Sequence, residues 1–199
     1  MESSDLTSRT RRVVAVVALL NLVGLLVDLV MASVIGSVSL FADAADFLED
    51  FLINGLVVVA LGWSVASRRR ASYGLAGLIL VPAVAALATA VWKVVDQAPP
   101  EGMPLSVTAV VAALINLAAA ALLIGIRNSG GSLVKGAWLA ARNDVLANLL
   151  ILAAGVVTLS WHSVWPDVVV GVTMAIINAR AAKEVFEQAR AEDPELEFD

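Results

Sequence analysis

Six acidic side chains, Asp28, Asp43, Asp46, Glu49, Asp50 and Asp144, lie inside stretches that are otherwise apolar. A charged acid at the centre of a bilayer costs about 2.5–3.5 kcal/mol on insertion scales, so several in one small chain call for a compensating role. Asp46 and Asp50 are four residues apart and would project from one face of a helix, with Asp43 one turn earlier. Carboxylates within reach of each other repel unless a cation sits between them or one holds a proton, an arrangement that couples metal binding to proton release. Asn54 continues the stripe. Asp144 and Asn148 repeat the four-residue spacing further along the chain, with Asn143 as a neighbouring amide. The competing reading of all these residues is a buried polar network that glues helices together.

Composition decides the solvent in which these acids sit. The chain has 199 residues, of which 60% are hydrophobic and 16% charged. A soluble domain is about 45–50% apolar and about a quarter charged, so most of this chain is suited to lipid, and a soluble enzyme is excluded. There is no cysteine, and His162 is the one histidine. Disulfides and thiolate ligands are therefore ruled out, and any metal chemistry must run on oxygen ligands.

A bilayer core of roughly 30 Å needs about 20 apolar residues in helical form. Six such runs occur, at about 13–35, 40–65, 75–95, 105–126, 138–160 and 167–182, and they predict an all-α bundle of six transmembrane helices. The links fall at 36–39, 66–74, 96–104, 127–137 and 162–166, with 129–132 (SGGS) a flexible turn. Arg9, Arg11, Arg12, Arg68, Arg69, Arg70, Arg127, Lys135, Arg180, Lys183 and Arg190 cluster at one end of these spans, while Lys93 alone lies close to the other. The positive-inside rule places both termini in the cytoplasm. The expected organisation is a cytoplasmic N-terminal segment (1–12), a transmembrane domain (13–185) and an acidic cytoplasmic tail (186–199), with the first span a retained signal anchor. The scattered arginines read as topology and lipid-headgroup contacts, and no nucleic-acid partner is expected.

Depth is consistent with one shared site. At 1.5 Å per residue, Asp50 lies roughly 15 Å below the outer boundary and Asp144 roughly 9 Å above the inner one. In a core of about 30 Å these levels differ by about one turn, so Asp46, Asp50 and Asp144 could form a midplane cluster. Of the remaining polar groups, Asp28 is expected to pair with Lys93, and Glu49 to point away from the Asp46–Asp50 face. Asp167, after Pro166, is expected to serve the start of its own helix, so that Asp167→Asn would be mild. His162 between Trp161 and Trp165 suits the headgroup region.

Residues 36–54 (GSVSLFADAADFLEDFLIN) resemble the second-helix signature of the cation diffusion facilitator family. There a Gly-Ser-x-(Ser/Ala)-Leu-x-Ala-Asp-Ala stretch leads into a (His/Asp)-x-x-x-Asp pair of ligands. Residues 135–148 (KGAWLAARNDVLAN) are similar to the fifth-helix motif, in which a His-x-x-x-Asp pair completes the site. The resemblance implies that Asp46, Asp50 and Asp144 are metal ligands, with Asp43, Asn54, Asn143 and Asn148 as supporting or relay groups. The family's histidine position falls on Ala140, so three carboxylates and amide oxygens would suit manganese, iron(II) or cobalt at least as well as zinc. The family's cytoplasmic metal-binding domain and histidine-rich loop have no counterpart in this sequence, which implies a short branch. The expected function is export of divalent metal cations (zinc, cobalt, cadmium, manganese or iron(II)) from the cytoplasm in exchange for protons. The expectation includes a homodimer in a cell membrane, most simply a bacterial inner membrane, with no prosthetic group and no enzymatic activity. The alternatives are a proton-coupled exporter of organic cations and a nontransporting scaffold or metal sensor.

Overall fold

The structure, a computed structural model, describes residues 3–59, 65–126 and 131–191. Six helices follow one another: α1 (Ser3–Ile35), α2 (Val38–Val59), α3 (Val65–Asp96), α4 (Gly102–Ile124), α5 (Gly131–Ser160) and α6 (Trp165–Ala191), with no strand among the described residues. Four segments are long and apolar enough to cross a membrane: Ser8–Ile35, Gly77–Asp96, Gly102–Ile124 and Trp138–Ser160. In α2 the charge of Asp43, Asp46, Glu49 and Asp50 lowers the apolar character, and in α6 Asp167, Asn178 and Arg180 do the same.

Several helices are longer than their apolar runs. The 33 residues of α1 span about 50 Å, well beyond a hydrocarbon core of about 30 Å, so its polar first turns continue outside the apolar layer. Residues 3–12, expected as a separate segment, are thus part of α1. Residues 66–74 are likewise not a link but the first turns of α3, because Ala and Arg are good helix formers and hydropathy alone does not distinguish a polar helix from a loop. Gly131 and Ser132 open α5, while 127–130 and the tail beyond 191 lie outside the described residues.

The packing is inverted relative to a soluble protein. Large side chains such as Leu19 (60%), Val91 (69%) and Val95 (78%) are exposed, whereas the buried set is rich in alanine: Ala32, Ala42, Ala44, Ala45, Ala86, Ala109, Ala112, Ala119 and Ala175. In lipid there is no hydrophobic gain from hiding a leucine, so close backbone approach by small residues and polar contacts hold the helices together. α4 packs on α5, α1 on α2 and α4, and α3 on α6, while α2 touches α1, α3, α5 and α6. The acid-bearing helix therefore occupies the middle.

The tightest approach is at the start of α2. A Cβ on Gly171 of α6 would lie 2.5 Å from the Ser39 backbone nitrogen and from the Val38 carbonyl carbon. Backbone cannot yield as a flexible side chain does, so Gly171→Val should lower the melting temperature of the detergent-solubilised protein, with a cost of about 1–3 kcal/mol. Gly77→Ala is the control, since a Cβ there meets nothing within 4 Å. Equal melting of the two variants would contradict this packing.

Candidate cation site

The site begins with the clamp that fixes α2. Asp167 is fully buried on α6. Its Oδ1 accepts hydrogen bonds from the Ser37 hydroxyl (2.7 Å), the Ser39 N–H (3.0 Å) and the Ser39 hydroxyl, and its Oδ2 accepts from the Val38 N–H (2.7 Å). The first amides of a helix have no partner within it, and a carboxylate there satisfies them and complements the dipole. Asp167 was expected to serve its own helix. Instead it caps α2, some 130 residues earlier in the chain, because the turn after α1 brings those amides and hydroxyls against the start of α6.

Gly36, with φ +61, makes that turn possible, and a Cβ there would crowd Lys93 Cε at 2.9 Å. Lys93 Nζ donates to the carbonyls of Ala98 (2.7 Å) and Ile35 (3.5 Å). The expected Lys93–Asp28 pair does not form: neither Asp28 oxygen has a hydrogen-bond donor. Asp28 sits seven residues before Ile35, about 10 Å deeper along α1, while Lys93 is spent on carbonyls at the outer end.

Below the clamp, α2 carries Asp43 (fully buried) and Asp46, Glu49 and Asp50 (half-buried) toward the bundle interior, and α5 carries Asp144, also half-buried. Asp144 lies within electrostatic reach of Asp50, Asp46, Asp43 and Glu49, so the two helices do share one acidic zone. Glu49, half-buried on the same helix, adds a further negative charge beside Asp50. Among the described residues, no three or more acidic or imidazole side chains converge into a group able to hold one metal ion in this conformation. Neither does any lysine or arginine pair with Asp46, Asp50 or Asp144 among them. Several carboxylates in a water-poor region without a counter-ion create a strong local attraction for a cation.

The amides divide by position. Asn148, fully buried, donates through Nδ2 to Asp43 Oδ1 (3.3 Å) and to the Asp144 carbonyl (3.0 Å). Asn54 donates to the Asp50 carbonyl at 2.8 Å, so that amide is used on its own helix. Asn143 lies on the exposed side of α5, where its oxygen accepts from Arg142 (3.4 Å), and the structure does not bring it into the zone. Spacing sets this outcome: Asn143 is one residue from Asp144, about 100° around the helix. Ala140, at the family's histidine position, is half-buried one turn from Asp144.

Two asparagines had no assigned place at the site. Asn21 of α1 donates to Asp50 Oδ2 at 3.4 Å, and Asn178 of α6 donates to the Ala42 carbonyl at 2.8 Å beside Asp46. With Asn54, Asn116 and Asn148, each helix except α3 contributes one buried asparagine among the described residues. A lone asparagine in an apolar run was the available signal. His162 is exposed between two exposed tryptophans in the link from α5 to α6, away from the acids of α2.

The sequence model of the Cation efflux transmembrane domain matches residues 14–191. The chain belongs to the cation diffusion facilitator family. As a member of this family it is a multi-pass membrane protein and a cation transporter, and family members are transporters rather than enzymes. No curated protein resembles the chain closely enough to count as a match. In this family member the match takes in all of α2 to α6 and α1 from Val14 onward, so the clamp, the acids and the asparagines all lie inside the family domain.

The clamp predicts a graded loss. Asp167→Ala removes the acceptor for two amides and two hydroxyls, and hydrogen bonds to charged groups are worth about 1.5–3 kcal/mol each, so stability should fall by about 3 kcal/mol. Asp167→Asn keeps one acceptor oxygen and should fall between alanine and wild type. Melting of the purified protein checks this, and an Asp167→Ala protein as stable as wild type would remove the clamp from the account.

Proposed function

We propose that this family member is a secondary transporter that exports divalent metal cations from the cytoplasm in exchange for protons. Asp46 and Asp50 of α2 and Asp144 of α5 are its metal-binding carboxylates. One observation carries the proposal: carboxylates from two helices share a zone inside the membrane domain, and among the described residues no basic side chain pairs with them. The metal is the transported substrate, and the protein needs no prosthetic group. Asp43 and Asn148 support the zone from its outer side, and Asn54 holds the Asp50 turn.

The arginine-rich end faces the cytoplasm under the positive-inside rule: Arg9, Arg11 and Arg12 on α1, Arg70 on α3, and Arg180 and Lys183 on α6 are all exposed there. α2 is held by Asp167 at the opposite, outer end. Binding draws the three carboxylates together around the ion, and relative motion of the helices exposes the site to each side in turn. Protons and metal compete for the same carboxylates, so the arrival of one displaces the other. The family resemblance supports a homodimer, and a bacterial inner membrane is the proposed location.

Proteoliposomes with an imposed pH gradient test the reading across manganese, zinc, cobalt, cadmium and iron(II). Metal should drive proton flux in the wild type, and Asp50→Asn and Asp144→Asn should each abolish it while melting as the wild type does. Wild-type flux in both variants would place the site elsewhere. Apparent metal affinity should fall as pH moves from neutral to mildly acidic, since protons then occupy the ligands. A flat profile would contradict exchange at this site.

Ala140 bears on the choice of metal. Its methyl group cannot ligate, which leaves that position to water or an amide oxygen and relaxes the tetrahedral demand that zinc meets best. Ala140→His should supply an imidazole nitrogen and raise the zinc-to-manganese affinity ratio roughly tenfold, about 1.4 kcal/mol. Competition binding reads the ratio directly, and an unchanged value in a folded variant would mean that residue 140 does not face the ion.

A further inference from the structure

Asn21 of α1 is bonded at one end of its amide and orphaned at the other. It is fully buried in an apolar run, on the inward stripe that also carries Val14, Val17, Ala18 and Leu25. Its Nδ2 donates to Asp50 Oδ2 at 3.4 Å, while its Oδ1 receives no hydrogen bond among the described residues. A carbonyl oxygen sealed away without a donor is costly, and folded proteins keep few of them. An acceptor beside a cluster of carboxylates has one natural complement, a cation.

The packing of α1 on α2 holds this amide at Asp50. A Cβ on Gly24, one turn after Asn21, would run into the ring of Phe47, which stands one turn before Asp50 on α2. The two antiparallel helices therefore meet closely at Gly24 and Phe47, and one turn further from the outer end Asn21 lies opposite Asp50. The last torsion of an asparagine is broad and roughly two-fold, so its nitrogen and oxygen can exchange places while the backbone stays still. Facing a bare carboxylate, the nitrogen donates. Facing a cation held by that carboxylate, the N–H would meet positive charge, and the turned amide offers its oxygen instead.

The other buried amides are held differently. Asn148 Oδ1 and Asn116 Oδ1 also lack a donor. Asn148, however, donates both to Asp43 Oδ1 and to the Asp144 carbonyl, so turning it breaks two bonds. Asn116 of α4 donates to none of the acids among the described residues. Asn54 and Asn178 each donate to a backbone carbonyl at 2.8 Å. Asn21 is the amide whose single, long bond runs to the carboxylate of a proposed ligand.

We infer that Asn21 supplies a fourth oxygen to the transported ion: when a divalent cation binds Asp50, the amide turns and coordinates it through Oδ1. This rests on the proposed ligand set and deepens it into metal selectivity. Ala140 offers no ligand from α5, and an amide oxygen from α1 keeps the shell all oxygen, which suits a hard ion such as manganese better than zinc. Loading then ties α1 to the site that α2 and α5 share.

Electron–nuclear double resonance reads a ligating amide directly, using the full chain in lipid, loaded with manganese and isotopically labelled at the asparagine side-chain amide carbon. A carbon bonded to a ligating oxygen should give a resolved hyperfine coupling in the wild type. The coupling should vanish in Asn21→Leu and remain in Asn116→Leu, which removes a different buried amide. Asn21→Leu should also lower the manganese-to-zinc affinity ratio about tenfold in competition binding. A wild type without the coupling would overturn the inference, and that measurement needs no variant to fold. So would a coupling that survives in Asn21→Leu, or an unchanged affinity ratio in that variant. Manganese that stays bound in Asp50→Asn would instead contradict the ligand set beneath the inference, so the two failures are distinct.

Discussion

The Asp167 carboxylate fixes where α2 begins, and that helix carries Asp43, Asp46, Glu49 and Asp50. By accepting from two backbone amides and two serine hydroxyls, it sets both the height and the rotation of α2 against α6. Every carboxylate on α2 then follows at its own helical offset. The positive φ of Gly36 and the bare Cα of Gly171 are the steric conditions for this contact, one allowing the turn and the other letting the two backbones meet. An anchor at the outer end leaves the deeper part of α2 to be governed by its own charges and by the asparagines that face them.

Those asparagines express a second constraint. With alanine lining the interior and large aliphatic residues facing out, little apolar packing energy specifies which helix meets which. Buried amides supply direction instead: Asn21 reaches Asp50, Asn148 reaches Asp43, and Asn178 reaches the Ala42 carbonyl. They give the acids neutral partners without cancelling their charge. A lysine in the same place would neutralise a carboxylate and remove its attraction for a passing cation. Among the described residues the buried lysine, Lys93, lies beyond the start of α2 and donates to carbonyls rather than to Asp46 or Asp50.

Much of this was legible in the sequence because lipid imposes a simple rule: twenty apolar residues must be a helix, and an acid among them must have a purpose. The six helices, the shared face of Asp46 and Asp50, and the family followed from that rule and two motifs. Helix extents were not legible, since the polar residues 3–12 and 66–74 lack the hydropathy that marks a span yet form good helix. Cross-helix partners were not legible either. Spacing tells which residues share a face but not which helix that face meets, so Asp167 was assigned to its own helix and Asp28 to Lys93. Nothing along the chain pointed from Asn21 of α1 to Asp50 of α2.

The central claim is that oxygen atoms of Asp46, Asp50 and Asp144 surround the transported ion. X-ray absorption of the manganese-loaded protein, compared with a variant in which all three are asparagine, tests it most directly. Manganese should have an all-oxygen shell in the wild type and should not bind to the variant. A nitrogen-containing shell, or the same shell and occupancy in the variant, would contradict it.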